Sequence, residues 1–215
     1  DRDILYIEMY KLFKRRRAWI GPVLVFLLII ISFPLTLDIN SDNPPQIYLS
    51  FIWISTLLVT MLGTELIFSD DFEDGTLEQY AVNDQLIEVV FYKIFVHWVL
   101  IGIPLAFVAF LFILSLNISI QISSIALLCL IISNLIFINF FSLGNALSLK
   151  KGSILGLLIT IPFLIPVLIV LGKMTTSALL GLSLIGHLSL LVGVMILLAS
   201  FIPVIISFIL RTHLE

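Results

Sequence analysis

Six long apolar runs, separated by short polar breaks, constrain the fold of this chain more than any other feature. The runs cover residues 19–37, 47–68, 89–116, 122–147, 154–171 and 182–210. A membrane-spanning helix needs about 20 apolar residues to cross the hydrocarbon layer. The sequence therefore predicts an all-α polytopic membrane protein with six transmembrane helices, in which residues 1–215 form a single transmembrane domain.

Composition supports this class and excludes several others. Hydrophobic residues make up 60% of the 215 and charged residues 12%, against about 25% charged residues in soluble domains. Cys129 is the only cysteine, and it lies inside an apolar run. A disulfide framework, a CxxC redox pair and a thiolate metal site are therefore excluded, and we expect Cys129 to be a small core residue.

The basic residues predict the orientation. Ten of the eleven lysines and arginines fall on one side of a six-span topology, and only Lys173 falls on the other. Cytoplasmic loops of membrane proteins carry an excess of Lys and Arg. Both ends of the chain, and the loop between the second and third spans, are therefore predicted to be cytoplasmic.

Residues 1–17, before the first span, predict an amphipathic helix in the membrane interface. Its apolar positions recur at helical spacing, and its charged residues fall on other faces. The apolar set is Leu5, Met9, Leu12 and Phe13, and the charged set is Asp3, Glu8, Lys11, Lys14 and Arg15. Two interpretations are open: a charged anchor that only fixes topology, or an elbow helix that transmits motion.

The acidic loop at 69–86 has its own local signals. Asp70 can cap a short helical turn, and Asp74-Gly75 is a strong turn signal. Thr76 begins a capping-box spacing that can start a second short helix, and Asp84 can cap the third span.

Three apolar residues of this loop, Phe72, Leu77 and Tyr80, need something to cover them. A solvated acidic loop would explain the charges but not these side chains.

The clustered carboxylates do not match known metal loops. With Gly75 at the sixth position of an EF-hand loop, Phe72 and Ala81 occupy ligand positions three and twelve. A six-span CDP-alcohol phosphotransferase is the alternative function, and Asp71, Asp74 and Gly75 match the opening of its D-x-x-D-G motif. The later residues of that motif are absent, so half of its metal site is missing. The prenyltransferase pattern DDxxD lacks its second acidic motif.

The chain carries no ATP-binding motif of its own. The stretch GLSLIGHL, residues 181–188, has the glycine spacing of a P-loop. His187 and Leu188 stand where Lys and Ser or Thr are required.

A longer pattern is specific: E-x-x-F-x-D-D-x-x-D-G-x-L-E-Q, followed by K-x-x-x-H-W. This pattern resembles the haem exporter protein B (CcmB) family of the cytochrome c maturation system. The likeness covers essentially the whole chain, including its length, the six spans and the Phe33-Pro34-Leu35 ending of the first span. The residues that carry it are Glu65, Phe68, Asp70, Asp71, Asp74, Gly75, Leu77, Glu78, Gln79, Lys93, His97 and Trp98.

The resemblance implies a non-catalytic membrane subunit of an ABC-type complex, with a fold similar to ABC-2 exporters. Two copies would pair with two cytoplasmic ATPase subunits, which bind ATP and Mg²⁺. The complex would work with haem-handling membrane proteins and a periplasmic haem chaperone in the bacterial inner membrane, or alternatively in the mitochondrial inner membrane. Another ABC-2 exporter subunit remains an alternative, no nucleic acid is implied, and whether haem contacts this chain stays open.

The resemblance also implies that the acidic loop contains a coupling helix seated in a groove of the ATPase. Its apolar side chains would enter the groove, and its carboxylates would meet basic groups at the rim. The expected ATPase-coupling residues are Asp70, Asp71, Phe72, Asp74, Gly75, Leu77, Glu78, Gln79 and Tyr80.

Three polar residues are expected within the membrane: Glu65, Lys93 and His97. Glu65 and Lys93 lie near the cytoplasmic ends of antiparallel neighbouring spans, so they either pair or reach the interface independently. His97 shares a face of the third span with Lys93. It is either a haem ligand or a hydrogen-bonded residue of the bundle.

A homodimer is expected from the ABC-2 resemblance. The spacing of Gly152 and Gly156 in the fifth span permits close helix contact and is a candidate for this interface.

Overall fold

The computed structural model describes residues 2–36, 45–150 and 153–214, and the regular elements in these ranges are all helices. Two short helices, α4 and α5, lie between long ones. The helices are α1 (Arg2–Lys14), α2 (Arg16–Thr36), α3 (Pro45–Thr64), α4 (Ser69–Glu73), α5 (Thr76–Val82), α6 (Leu86–His97), α7 (Ile103–Ser115), α8 (Ile120–Leu147), α9 (Ser153–Leu179) and α10 (Ile185–Leu214).

The six predicted spans are confirmed, with shifted ends. Six helical stretches of the described chain are long and apolar enough to cross a membrane. The fifth continues to Leu179 rather than Leu171, and the sixth begins at Ile185 rather than Leu182. Most of the loop 38–46, together with Leu37, Lys151 and Gly152, lies outside the described residues.

The third span is a composite. A π-helical turn, Trp98–Gly102, joins α6 to α7 and ends two residues before Pro104. Proline cannot donate to a carbonyl four residues earlier, so a change of helical geometry near it is expected. The Trp98 indole donates to the Ile131 carbonyl at 2.9 Å, and the Asn134 amide donates to the Gly102 carbonyl at 2.7 Å. Helix α8 thus holds the π turn in place.

Helix α8 is the centre of the bundle. It packs against α3, α7, α9 and α10, and its apolar side chains form much of the main core. A second apolar cluster lies at the end of the bundle where α5, α6 and α10 meet α8. This second cluster supports the acidic loop.

The contact between α8 and α9 explains Gly156. A Cβ atom on Gly156 would overlap the carbonyl oxygen of Gly144, so the two backbones touch. The prediction that Gly156 serves a homodimer interface is therefore wrong, because Gly144 on α8 of the same chain already packs against Gly156.

Helix α1 is amphipathic as predicted, but the face that it buries is not the predicted one. Ile4, Glu8 and Leu12, one helical turn apart, are buried, and the helix packs against α6 and α2. Met9 and Phe13, expected among the apolar face, are 44% and 56% exposed. The buried face includes the carboxylate of Glu8, which helical spacing predicts on a different face from the apolar residues.

Candidate coupling site

The acidic loop folds into two short helices joined by a tight turn. Gly75 adopts φ = +78°, a left-handed conformation that favours glycine, so the predicted turn is confirmed. The Thr76 N–H donates to Asp74 Oδ1 at 2.9 Å. Hydrogen bonds from Thr76 lower the pKa of the Asp74 carboxyl below its ordinary value. The turn therefore fixes the direction of α5.

Three predicted caps are wrong. Thr76 does not begin a capping box, because the residue before α5 is Gly75 and it makes no side-chain cap. The residue before α4 is Phe68, which makes no side-chain cap, and Asp70 instead pairs with Arg15. Asp84 does not cap the third span, whose flanking residue is Gln85. Asp84 has φ = +54° and pairs with Arg211 at 2.7 Å, which joins this loop to the end of α10.

Leu77 is not available to a partner. Its side chain is fully buried, and it packs in the second apolar cluster with Phe68, Leu86, Val90 and Leu210. The prediction that it enters a groove of an ATPase is therefore corrected: the chain itself covers it. Leu77 fastens α5 to the bundle.

Phe72 and Tyr80 are half-buried against the same cluster. The Lys11 ammonium lies 6.0 Å from the centre of the Tyr80 ring, within range of a cation–π contact. Burial raises the pKa of the Tyr80 phenol. Both rings therefore contribute to seating the loop on the bundle and on α1.

A buried charge cluster links three segments of the chain. Lys93 Nζ lies 2.8 Å from Glu8 Oε2 and 2.6 Å from Asp71 Oδ2. Lys11 Nζ lies 3.5 Å from the second oxygen of each carboxylate. Glu8, Asp71 and Lys93 are each at most 6% exposed. The four residues form a neutral cluster that connects α1, α4 and α6.

The neutrality of this cluster matters because burying a charge in an apolar environment is costly. An unpaired charge near the centre of a membrane helix costs roughly 3 kcal/mol on insertion scales. Removing one partner of a buried pair typically costs about 3–5 kcal/mol, because the other charge remains buried. The cluster therefore specifies where α4 and α1 sit against α6.

Lys93 thus has different partners from the one expected. A pair with Glu65 was one of the two predicted arrangements, whereas the described carboxylates within salt-bridge distance of Lys93 belong to Glu8 and Asp71. Glu65 is half-buried and contributes its backbone carbonyl to the side-chain amide of Asn145.

Asn145 holds the other end of the loop. Its amide nitrogen donates to the Glu65 carbonyl, and its oxygen accepts the Phe68 N–H at 3.3 Å. These backbone groups follow the last turn of α3, where backbone groups lack hydrogen-bond partners within the helix. Asn145, on α8, therefore fixes the path of the chain from α3 into α4.

The carboxylates of the loop diverge rather than converge. Asp70 faces Arg15, Asp71 faces Lys93, and Asp74 binds its own turn. Among the residues that the structure describes, no group of three His, Cys, Asp or Glu side chains is arranged to hold a metal ion. The arrangement suits positioning of the loop.

The outward face of the loop is acidic. Glu73, Asp74, Glu78 and Gln79 are exposed, and Val82 is 85% exposed at the end of α5. This exposed set, together with Asn83, forms the surface that the loop offers to another molecule, and we call it the outer loop face.

His97 lies in the bundle one turn beyond Lys93. Its Nδ1 is 2.8 Å from the Lys93 carbonyl oxygen, and since a carbonyl oxygen only accepts, Nδ1 carries the proton. Nε2 is then the ring nitrogen with a free lone pair. His97 also lines a cavity of about 880 Å³ bounded by α1, α2, α6 and the segment after α3.

Two residues of this site, Glu8 and Asn145, were not predicted to contribute to it. Glu8 and Asn145 lie 85 and 77 residues from the Lys93 and Phe68 groups that they contact. The position of Glu8 between Ile4 and Leu12, at four-residue spacing, was the available signal that it shares their buried face.

Comparison with known proteins agrees with this architecture. The profile of the family described as CcmB protein matches residues 4–213. A heme exporter protein B of Pseudomonas aeruginosa is 31% identical over 188 residues, covering 86% of this chain and 84% of that protein. A heme exporter protein B of Haemophilus influenzae is 29% identical over 216 residues, covering 99% and 98%. A putative cytochrome c biogenesis ccmB-like mitochondrial protein of Marchantia polymorpha is 31% identical over 195 residues, covering 88% and 66%. The chain belongs to the CcmB protein family.

Proposed function

We propose that this chain is the membrane subunit of an ABC-type complex that serves haem export in cytochrome c maturation. The relatives are named heme exporter protein B, and the family profile spans nearly the whole chain. ATP hydrolysis belongs to a separate ATPase subunit, with two ATPase copies and two copies of this chain in the complex. Haem-handling membrane proteins and a periplasmic haem chaperone complete the proposed assembly.

The observation that carries the coupling role is the attachment of the loop to the third span. Asp71 and Lys93 meet inside the bundle, and Glu8 joins them from α1. A displacement of α4 alone would separate Asp71 from Lys93 and leave buried charges unpaired, which is costly. We therefore expect α6 and α1 to move with α4. The loop is suited to pass motion between a cytoplasmic partner and the membrane helices, which favours the elbow interpretation of α1.

The outer loop face sets the chemistry of the contact. Since Leu77 is buried in the chain, the exposed carboxylates and Val82 remain for a partner. The groove of the ATPase should therefore present basic groups, with a small apolar site for Val82. Opposite charges at such a contact speed association and fix its register.

The test is co-purification of the ATPase with tagged chain. Glu73→Lys combined with Glu78→Lys should release the ATPase, because it reverses two charges of the outer loop face. Glu88→Lys reverses an exposed charge on α6, at the same end of the bundle, and should retain it. Equal retention in all three proteins would refute this docking face.

The proposed orientation places the loop in the cytoplasm of a bacterium. In a Cys129→Ala background, Glu78→Cys should resist an impermeant maleimide added outside intact cells. Ser183→Cys, in the exposed turn between α9 and α10, should react. The reverse pattern would place the loop outside and remove the ATPase contact.

Haem is the proposed cargo, and His97 is the candidate residue of this chain to meet it. Nε2 of His97 has the lone pair that iron ligation requires, and the residue lines the large cavity. If haem co-purifies with the complex, His97→Ala should shift its Soret band, whereas His187→Ala should not. An unchanged spectrum would exclude ligation by His97.

A further inference from the structure

The cavity that reaches His97 has a second feature, at its mouth. The elbow between α1 and α2 is four consecutive cations, Lys14 to Arg17, and all four line the cavity. Arg15 pairs with Asp70, and Lys14 lies 5.9 Å from the centre of the Tyr10 ring. Arg16 and Arg17 are exposed and form no ion pair with any residue that the structure describes.

The carboxylates that line the same cavity are largely engaged elsewhere. Glu8 and Asp71 belong to the buried charge cluster, and Asp70 binds Arg15. Asp74 accepts the Thr76 N–H in the turn. Glu65 also lines the cavity, and it too interacts with other groups of the chain. The charges at the elbow side of the cavity that no carboxylate pairs with are therefore positive.

Another part of the cavity lining is apolar and exposed. Val25, on α2, lies two to three turns below the elbow, and Leu62 and Leu66 come from α3 and the turn after it. Their side chains are 36%, 47% and 57% exposed. The cavity thus has cations at the elbow and exposed apolar side chains farther along the first two spans.

We propose that the elbow side of this cavity holds one anionic phospholipid. Its phosphate lies against Arg16 and Arg17, and an acyl chain follows Val25, Leu62 and Leu66. Arginine matches phosphate because its planar guanidinium donates two parallel hydrogen bonds. Cations immediately beside a span attract anionic lipids. The order of charge and apolar surface along the cavity matches an amphiphile better than a free anion.

The proposal also explains the exposed face of α1. Tyr6, Tyr10 and Phe13 are 72%, 56% and 56% exposed, and Phe13 stacks on Trp19 at the start of the first span. Aromatic side chains are enriched where a membrane meets water. A lipid bound at the elbow would therefore lie at the same boundary between membrane and water as these aromatic side chains.

The test is native mass spectrometry of the full chain, reconstituted in equal parts of phosphatidylglycerol and phosphatidylcholine and then extracted into detergent. Wild type should retain one phosphatidylglycerol per chain. Arg16→Gln with Arg17→Gln should reduce retention about thirtyfold. Lys150→Gln with Lys151→Gln removes the same charge from the segment between α8 and α9 and should have no effect. Equal retention of both lipids by wild type would overturn the proposal.

A second pair of variants leaves charge and topology intact. Gly21 lines the cavity, and a Cβ atom there would meet no other atom within 4 Å, as is also true of Gly193 in α10. Gly21→Leu should fill the cavity and lower retention of phosphatidylglycerol, whereas Gly193→Leu should not. Unchanged retention in Gly21→Leu, or release of the lipid by excess inorganic phosphate, would overturn the proposal.

Discussion

The ammonium group of Lys93 lies 2.6 Å from a carboxylate oxygen of Asp71 and joins the third membrane span to the acidic loop. Glu8 lies 2.8 Å from the same ammonium group and adds α1 to this junction. The loop is therefore held by the membrane helices through charge, and through Leu77 by apolar packing.

Asp71→Asn and Lys93→Met should each lower the free energy of unfolding by about 3–5 kcal/mol, since each leaves the buried four-residue cluster with an unbalanced charge. The double variant should cost less than the sum of the two, because it removes both charges. The measurement is a double-mutant cycle from denaturant unfolding in detergent. Arg211→Gln, which breaks an exposed pair with Asp84, should cost at most about 1 kcal/mol. Additive effects of Asp71→Asn and Lys93→Met would contradict the cluster.

Leu77 lies on the buried side of α5, and Val82 lies on its exposed side. Leu77→Ala should lower the free energy of unfolding by about 2–5 kcal/mol, because it empties a fully buried site. Val82→Ala should change it by no more than about 0.5 kcal/mol, since Val82 is 85% exposed. Thermal unfolding in detergent compares the two. A stable Leu77→Ala variant would mean that the loop is not seated on the bundle.

Six helices were predictable from the sequence because span length and basic-residue placement are properties of the local chain. The turn at Gly75 was predictable for the same reason: Asp-Gly favours a positive φ at the glycine, which the structure shows. The ends of the fifth and sixth spans were not: α9 continues through the polar residues Lys173, Thr175 and Thr176, and α10 begins three residues later than expected.

The partners of the charged residues could not be obtained this way. Glu8 meets Lys93 across 85 residues of chain, and this contact depends on how α1 lies against α6. The apolar residues of the loop showed that a cover was needed, yet the sequence could not tell whether the cover was another protein or the chain itself. For Leu77 it is the chain.

Gly75 tests the turn. Gly75→Val should cost about 1–2 kcal/mol, because a side chain in the left-handed region approaches its own backbone. Gly75→Asn should be milder, since Asn tolerates this region. No neighbouring atom lies within 4 Å of a Cβ placed at Gly75, so the effect would be conformational rather than steric. Limited proteolysis of the loop should be faster only in Gly75→Val; equal cleavage rates would argue against a required positive φ.

Gly156 tests the contact between α8 and α9. Gly156→Ala should strongly reduce the yield of monodisperse protein, since its Cβ would overlap the Gly144 carbonyl. Gly172→Ala, on the same helix in open space, should behave as wild type. Size-exclusion chromatography in detergent distinguishes these outcomes. A monodisperse Gly156→Ala variant would show that the helices do not approach so closely.

The most direct test of coupling is the rate of ATP hydrolysis by the complex reconstituted in nanodiscs. In Asp71→Leu with Lys93→Met, the outer loop face is unchanged, so the ATPase should still bind. The charged link between the loop and α6 is gone, so ATP hydrolysis should no longer respond to the membrane subunit. We expect normal ATPase content with a rate equal to that of the isolated ATPase. A rate equal to that of the wild-type complex, at the same ATPase content, would contradict the proposed coupling through Asp71 and Lys93.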